Sequence, residues 1–99
     1  MPLFVLSCTD NEGTVEKRIA TRPAHVARLE QLNDEGRLIV AGALPKDPNN
    51  PQAGFYGSTI IVDFESREAV EAWVAEEPFL KEGIYSPIEQ NEKHLDLLK

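Results

Sequence analysis

Five side chains in this sequence have types and spacing that suit chemistry on a small molecule: Arg22, His25, Ser58, Glu77 and Tyr85. His25 carries an imidazole that can take or give a proton near neutral pH, and Arg22 stands one helical turn before it. A carboxylate beside an imidazole fixes its tautomer and stabilises the imidazolium formed on protonation, which is the basis of proton transfer by such a pair. Glu77 is the carboxylate that the order of elements brings towards His25. Each residue also has a plainer reading. An inward histidine is commonly a hydrogen-bonded core residue, and a glutamate at a helix end is commonly solvated. Ser58 follows a loop and the flexible Gly54 and Gly57, so its hydroxyl either reaches a pocket or bonds backbone at a strand end. Arg22 either holds an anionic substrate group or meets a carboxylate or solvent, and Tyr85 either lines the pocket or packs. Cys8, inside an apolar run, reads as a buried inert thiol, and His94 reads as a tail residue.

The elements that must position these side chains follow from patterning. Residues 2–9, PLFVLSCT, are a short apolar run before the turn-prone Asp10-Asn11-Glu12-Gly13, which reads as a first strand. Val15 to Ile19 read as a helical turn. Pro23 suits the first position of a helix, so the main helix is expected from Pro23 to Glu35 with Gly36 as its stop. Within it His25, Leu29 and Leu32 share one face. Residues 37–44 and 57–64 read as two further strands, separated by a proline-rich polar loop over 45–54 that is either a cover for a pocket or a tolerated surface loop. Ser66 caps a second helix on which Val70, Trp73, Val74 and Glu77 share a face, and Pro78 ends it. Ile84 to Glu89 read as a fourth strand, with Pro87 arguing for an edge position.

The order β, α, β, β, α, β predicts an α+β domain of the ferredoxin-like split βαβ type: a four-stranded antiparallel sheet with two helices on one face. In that topology the helices are antiparallel. The start of the first then lies near the end of the second, so His25 in one first turn and Glu77 in the other last turn are expected at the same end of the domain. The helix N-terminus and burial both favour neutral His25, whereas a helix C-terminus disfavours the Glu77 carboxylate.

Composition bounds the remaining possibilities. The 99 residues make one domain, with no internal repeat and the apolar and charged balance of a globular chain. A formal charge of −7 opposes nucleic-acid binding. Residues 55–99 hold most of that excess, with 10 acidic against 4 basic side chains, and it reads as a solvated surface. No apolar run approaches the roughly 20 residues of a membrane span, and the N-terminus lacks the basic start and cleavage site of a signal peptide, so a soluble cytoplasmic protein is expected. One cysteine allows no intrachain disulfide, and no histidine or carboxylate spacing suggests a metal site; no metal and no cofactor are expected. The apolar residues of the tail, Leu95, Leu97 and Leu98, suggest docking on a partner subunit.

The residues Glu16-Lys17-Arg18, Arg22 to Leu29 and Asp34 to Leu38 resemble the YciI-like family of small dimeric α+β proteins. The resemblance continues through Ala53-Gly54-Phe55, Gly57-Ser58-Thr59, Phe64-Glu65-Ser66, Ala72-Trp73 and Gly83-Ile84-Tyr85. It implies a ferredoxin-like fold, a homodimer of α+β-barrel type and an active site centred on a histidine and an aspartate. His25 falls on that histidine, whereas Glu77-Pro78-Phe79 stands where the family has Asp, Pro and an aromatic residue. A dehydrochlorinase acting on a chlorinated hydroxyquinol resembles the family. The resemblance therefore implies a cofactor-free lyase or isomerase acting on a small cyclic or aromatic compound, with His25 as base, Glu77 as its partner, and Ser58, Arg22 and Tyr85 at the substrate. The alternative is a dimeric accessory protein that binds a small molecule without converting it.

Overall fold

Strands form where apolar side chains alternate, and β1 (Leu3–Thr9) shows why: Phe4, Leu6 and Cys8 are buried while Ser7 and Thr9 face out. The structure is a computed structural model that describes residues 2–93. It continues with α1 (Val15–Asp34), β2 (Leu38–Pro45), a 3₁₀ turn at Pro51–Ala53, β3 (Phe55–Asp63), α2 (Arg67–Ala75), α3 (Pro78–Lys81) and β4 (Glu89–Lys93). The strands pair antiparallel in the order β2-β3-β1-β4, so β1 and β3 are the central pair, in register from Leu3 opposite Asp63 to Thr9 opposite Gly57. The core lies against one face of this sheet. Phe4, Leu6, Ile60 and Val62 meet Leu32 of α1, Val70 and Val74 of α2, and Phe79 of α3.

Three expectations are corrected. The first helix does not begin at Pro23: α1 is continuous from Val15, and Pro23 lies inside it. An interior proline removes one N–H from the helix ladder and is costly, yet the helix runs on through it and carries the buried Arg18 upstream. The second helix ends at Ala75, and a separate short helix, α3, follows it. The fourth strand lies at Glu89–Lys93 and not over Ile84–Glu89. Ile84 and Tyr85 instead fill the core, with Tyr85 in a single bridge to Asp10. The expected tail contacts and His94 lie outside the described residues.

On α1 the buried residues are Arg18, His25 and Leu32, seven apart. That spacing is one stripe along a helix, and two of its three members are polar. The helix therefore turns an imidazole and a guanidinium towards the sheet, where an ordinary amphipathic helix would place leucines.

Candidate functional site

His25 is held from three sides. Its ring stacks on Phe79, 4.1 Å between centroids and 10° between planes, with Tyr85 edge-on at 6.3 Å. Its Nδ1 is 2.5 Å from Glu77 Oε1. His25 and Glu77 meet, but not at the helix ends where they were expected. His25 sits in the middle of α1, away from the positive end of a helix dipole. Glu77 is the N-cap of α3, where its Oε1 accepts the Phe79 N–H at 3.3 Å and Pro78 occupies the first helical position. An N-cap welcomes a carboxylate, so the unfavourable helix C-terminus expected for Glu77 does not arise.

Glu77 is 1% exposed, and a buried carboxylate needs compensation on both oxygens. Oε2 has it from Arg28, whose Nη1 lies 3.4 Å away; Arg28 is itself anchored by Nη2 donating to the Trp73 carbonyl at 2.8 Å and lies over the Trp73 ring. Burial lowers the Arg28 guanidinium below its ordinary pKa, and the Glu77 charge opposes that. Because a carboxylate only accepts, Nδ1 is the protonated nitrogen when His25 is neutral. The lone pair is then on Nε2.

A second buried network adjoins the first. Arg18, 6% exposed, donates from Nε to Asp10 Oδ2 at 2.8 Å and from Nη2 to Ser58 Oγ at 2.9 Å and the Gly57 carbonyl at 3.3 Å. Its guanidinium lies over Phe55 and Phe79. The Tyr85 hydroxyl donates to Ser58 Oγ at 2.8 Å. Burial raises the Tyr85 phenol above its ordinary pKa, with the Ser58 bond opposing, so it is a neutral donor. Burial and then the Glu77 charge push the Cys8 thiol up to about 12, in keeping with an inert thiol. Gly57 makes the approach possible: a Cβ there would stand 1.8 Å from the Cys8 carbonyl oxygen.

The two networks meet at a cavity of about 140 Å³. Arg18, Arg22, His25 and Ser58 give its polar wall, Val26, Leu29 and Ile60 its apolar wall, and the small residues Ala41–Ala43 of β2 leave the space open. Of the residues singled out in the sequence, His25, Ser58 and Arg22 therefore reach the cavity. Glu77 stands behind His25, and Tyr85 stands behind Ser58. Arg18, Asp10 and Arg28 complete the networks and were missed. Arg18 had a readable signal, since it lies seven residues before His25 on the same helical stripe. Asp10 sits in a turn-prone stretch and Arg28 on a polar helix face, and neither pattern points to a partner. No group of three or more potential metal ligands occurs among the described residues, and no helix among them is long and apolar enough to cross a membrane.

The chain is similar to known proteins over most of its length. The YCII-related domain matches residues 2–90. Protein YciI of Escherichia coli O6:H1 is 48% identical over 88 residues, covering 87% of this chain and 90% of its own length. An uncharacterised protein of Haemophilus influenzae is 42% identical over 87 residues, covering 86% and 89% of the two chains. Among solved structures, 5-chloro-2-hydroxyhydroquinone dehydrochlorinase from Burkholderia phenoliruptrix AC1100, in complex with 2,5-dihydroxybenzoquinone, is similar over 90% of each chain with a TM-score of 0.77 and 29% identity. The fold, the matched span and these identities place the chain in the YCII-related domain family.

Proposed function

We propose that this chain is a proton-transfer enzyme of lyase or isomerase type, acting on a small cyclic or aromatic compound held in the cavity. The observation that carries the reading is the His25–Glu77 pair: a carboxylate 2.5 Å from Nδ1, in a ring locked against Phe79 and bordering a cavity. In this reading Nε2 removes a proton from the substrate. The electron pair so released forms a new π bond, either as a leaving group departs with its own pair or as the proton is returned to another carbon. Glu77 stabilises the imidazolium that forms, and Arg22 and Ser58 hold the substrate, with Tyr85 acting through Ser58. No step calls for a metal or a cofactor.

The similar dehydrochlorinase supplies the first compound to try. Incubation with 5-chloro-2-hydroxyhydroquinone is expected to release chloride, and His25→Ala to slow that release about 100-fold or more, the scale of general-base catalysis. Binding without conversion favours the accessory-protein reading, and release that is indifferent to His25→Ala removes the proposed base. We also propose a homodimer in the cytoplasm. Val40 and Leu44 are about half exposed on the sheet face opposite the cavity, where a second copy can cover them.

A further inference from the structure

Ser58 is placed to act as a hydrogen-bond donor towards the cavity. A hydroxyl oxygen offers two acceptor positions and one donor. Arg18 can only donate, and it takes one acceptor position through Nη2; of the two hydroxyls the phenol is the more acidic, so Tyr85 donates into the other. Ser58 is 5% exposed, and with Tyr85 donating to it, its own O–H is left to the cavity that the residue borders. A donor polarised by a cation and a second hydroxyl is stronger than an isolated one. It is also useless as a base or nucleophile, since its lone pairs are engaged.

The charges around the cavity point the same way. Asp10 is matched by Arg18 and Glu77 by Arg28, whereas Arg22 has no carboxylate partner among the described residues. The cavity therefore carries one uncompensated positive charge in a chain whose net charge is −7. A neutral ligand gains nothing from that charge and less from the Ser58 donor. An anionic oxygen answers both.

We propose that Ser58, held as a donor by Arg18 and Tyr85, and Arg22 at the mouth form an oxyanion subsite, so that the substrate is a small ring compound with an acidic enol or phenol oxygen. The inference rests on the proposed proton-transfer reading for the role of His25, but the subsite itself needs no turnover. When the substrate arrives as the neutral acid, its proton passes to His25 Nε2. The electron pair stays on oxygen or is delocalised onto it, and the Ser58 O–H and the Arg22 guanidinium hold that oxygen. Asp10 and Tyr85 are positioning residues, because they act through Arg18 and Ser58.

Calorimetric binding of two probes tests this. 2,5-Dihydroxybenzoquinone can ionise; 2,5-dimethoxybenzoquinone has the same ring and oxygen positions and cannot. The wild-type protein is expected to bind the first at least about tenfold more tightly, the scale of one hydrogen bond to a charged group. Ser58→Ala and Arg22→Gln each remove most of that preference by weakening the dihydroxy compound alone. Arg22 is exposed, so its variant keeps the readout independent of folding. His25→Ala retains the preference while abolishing turnover, which separates the subsite from the base. Equal binding of the two probes, no binding of the dihydroxy compound, or a preference that survives Ser58→Ala and Arg22→Gln but disappears in His25→Ala overturns the proposal. A preserved preference with no turnover of any acidic ring compound sinks the proton-transfer reading instead and leaves the subsite standing.

Discussion

Glu77 Oε1 serves two partners at once, the Nδ1 of His25 at 2.5 Å and the backbone N–H of Phe79 at 3.3 Å. The cap that starts α3 thus also orients the imidazole, and Phe79, the residue whose N–H it accepts, supplies the ring on which His25 stacks. The Glu77-Pro78-Phe79 corner and the site are therefore built from the same side chains.

Removing the carboxylate should therefore cost stability as well as chemistry. Glu77→Ala leaves His25 and Arg28 without their buried partner and is expected to lower unfolding stability by about 3 kcal/mol in a urea titration. Glu77→Gln keeps the volume and the cap acceptor and should cost less than half of that. Equal losses for the two variants would mean that the charge, and not the cap, carries the stabilisation.

Gly57 tolerates no side chain. A methyl group there meets the Cys8 carbonyl at 1.8 Å, which forces the central β1–β3 pair apart where Gly57 faces Thr9. Gly57→Ala should lose about 3 kcal/mol or more, or fail to give folded protein, as judged by thermal unfolding. A change under about 1 kcal/mol contradicts the close approach.

Alkaline pH should weaken the fold before it affects the surface. Burial holds the Cys8 proton up to about 12 from an ordinary value of 9.0, and it also raises the Tyr85 phenol. For both groups the folded state keeps its proton where the unfolded chain loses it. Their contribution is complete below the unfolded values and is lost as pH rises through about 9 towards 12. Urea unfolding at stepped pH should show stability falling by up to about 1.4 kcal/mol per pH unit per group in that window. Cys8→Ala should flatten the lower part of the fall; an unchanged slope shows that the thiol is not the group involved.

Pro23 leaves the helix ladder one donor short in the middle of α1. It is exposed and lies outside the stripe of Arg18, His25 and Leu32. Pro23→Ala is thus expected to raise unfolding stability by about 1 kcal/mol with the cavity unaltered. A loss of stability would instead assign the proline a packing role that α1 needs.

The first three strands were the most legible elements, because residues 2–9, 37–44 and 57–64 are short apolar runs bounded by turn residues; which of their side chains are buried, Phe4, Leu6 and Cys8 or Ile60 and Val62, is set by the sheet. Ser66 was equally legible, and its hydroxyl accepts the Ala69 N–H as a cap should. Proline punctuation misled, whereas Gly36 does stand just past the end of α1. Pro23 suits a helix start, and only the burial of Arg18 upstream shows that the helix is already under way. Pro78 begins α3 after α2 has already ended at Ala75, so reading it as a helix stop hid α3. Ile84 and Tyr85 have strand-forming side chains that the core uses without a ladder, while β4 forms over Glu89–Lys93, which shows no apolar pattern. In the site, His25, Glu77, Ser58 and Arg22 could be picked out by type and spacing. Arg28 and Asp10 could not, because their partners are 49 and 8 residues away and no local pattern records a pairing made by the fold.

The most direct test of the account is the tautomer of His25, read from ¹⁵N shifts of its ring in mildly alkaline solution in the wild type and in Glu77→Ala. The account predicts a protonated Nδ1 and an Nε2 with a free lone pair in the wild type, with that preference lost when the carboxylate is gone. A wild-type ring protonated on Nε2, or one indifferent to Glu77→Ala, would contradict it, because no base would then face the cavity.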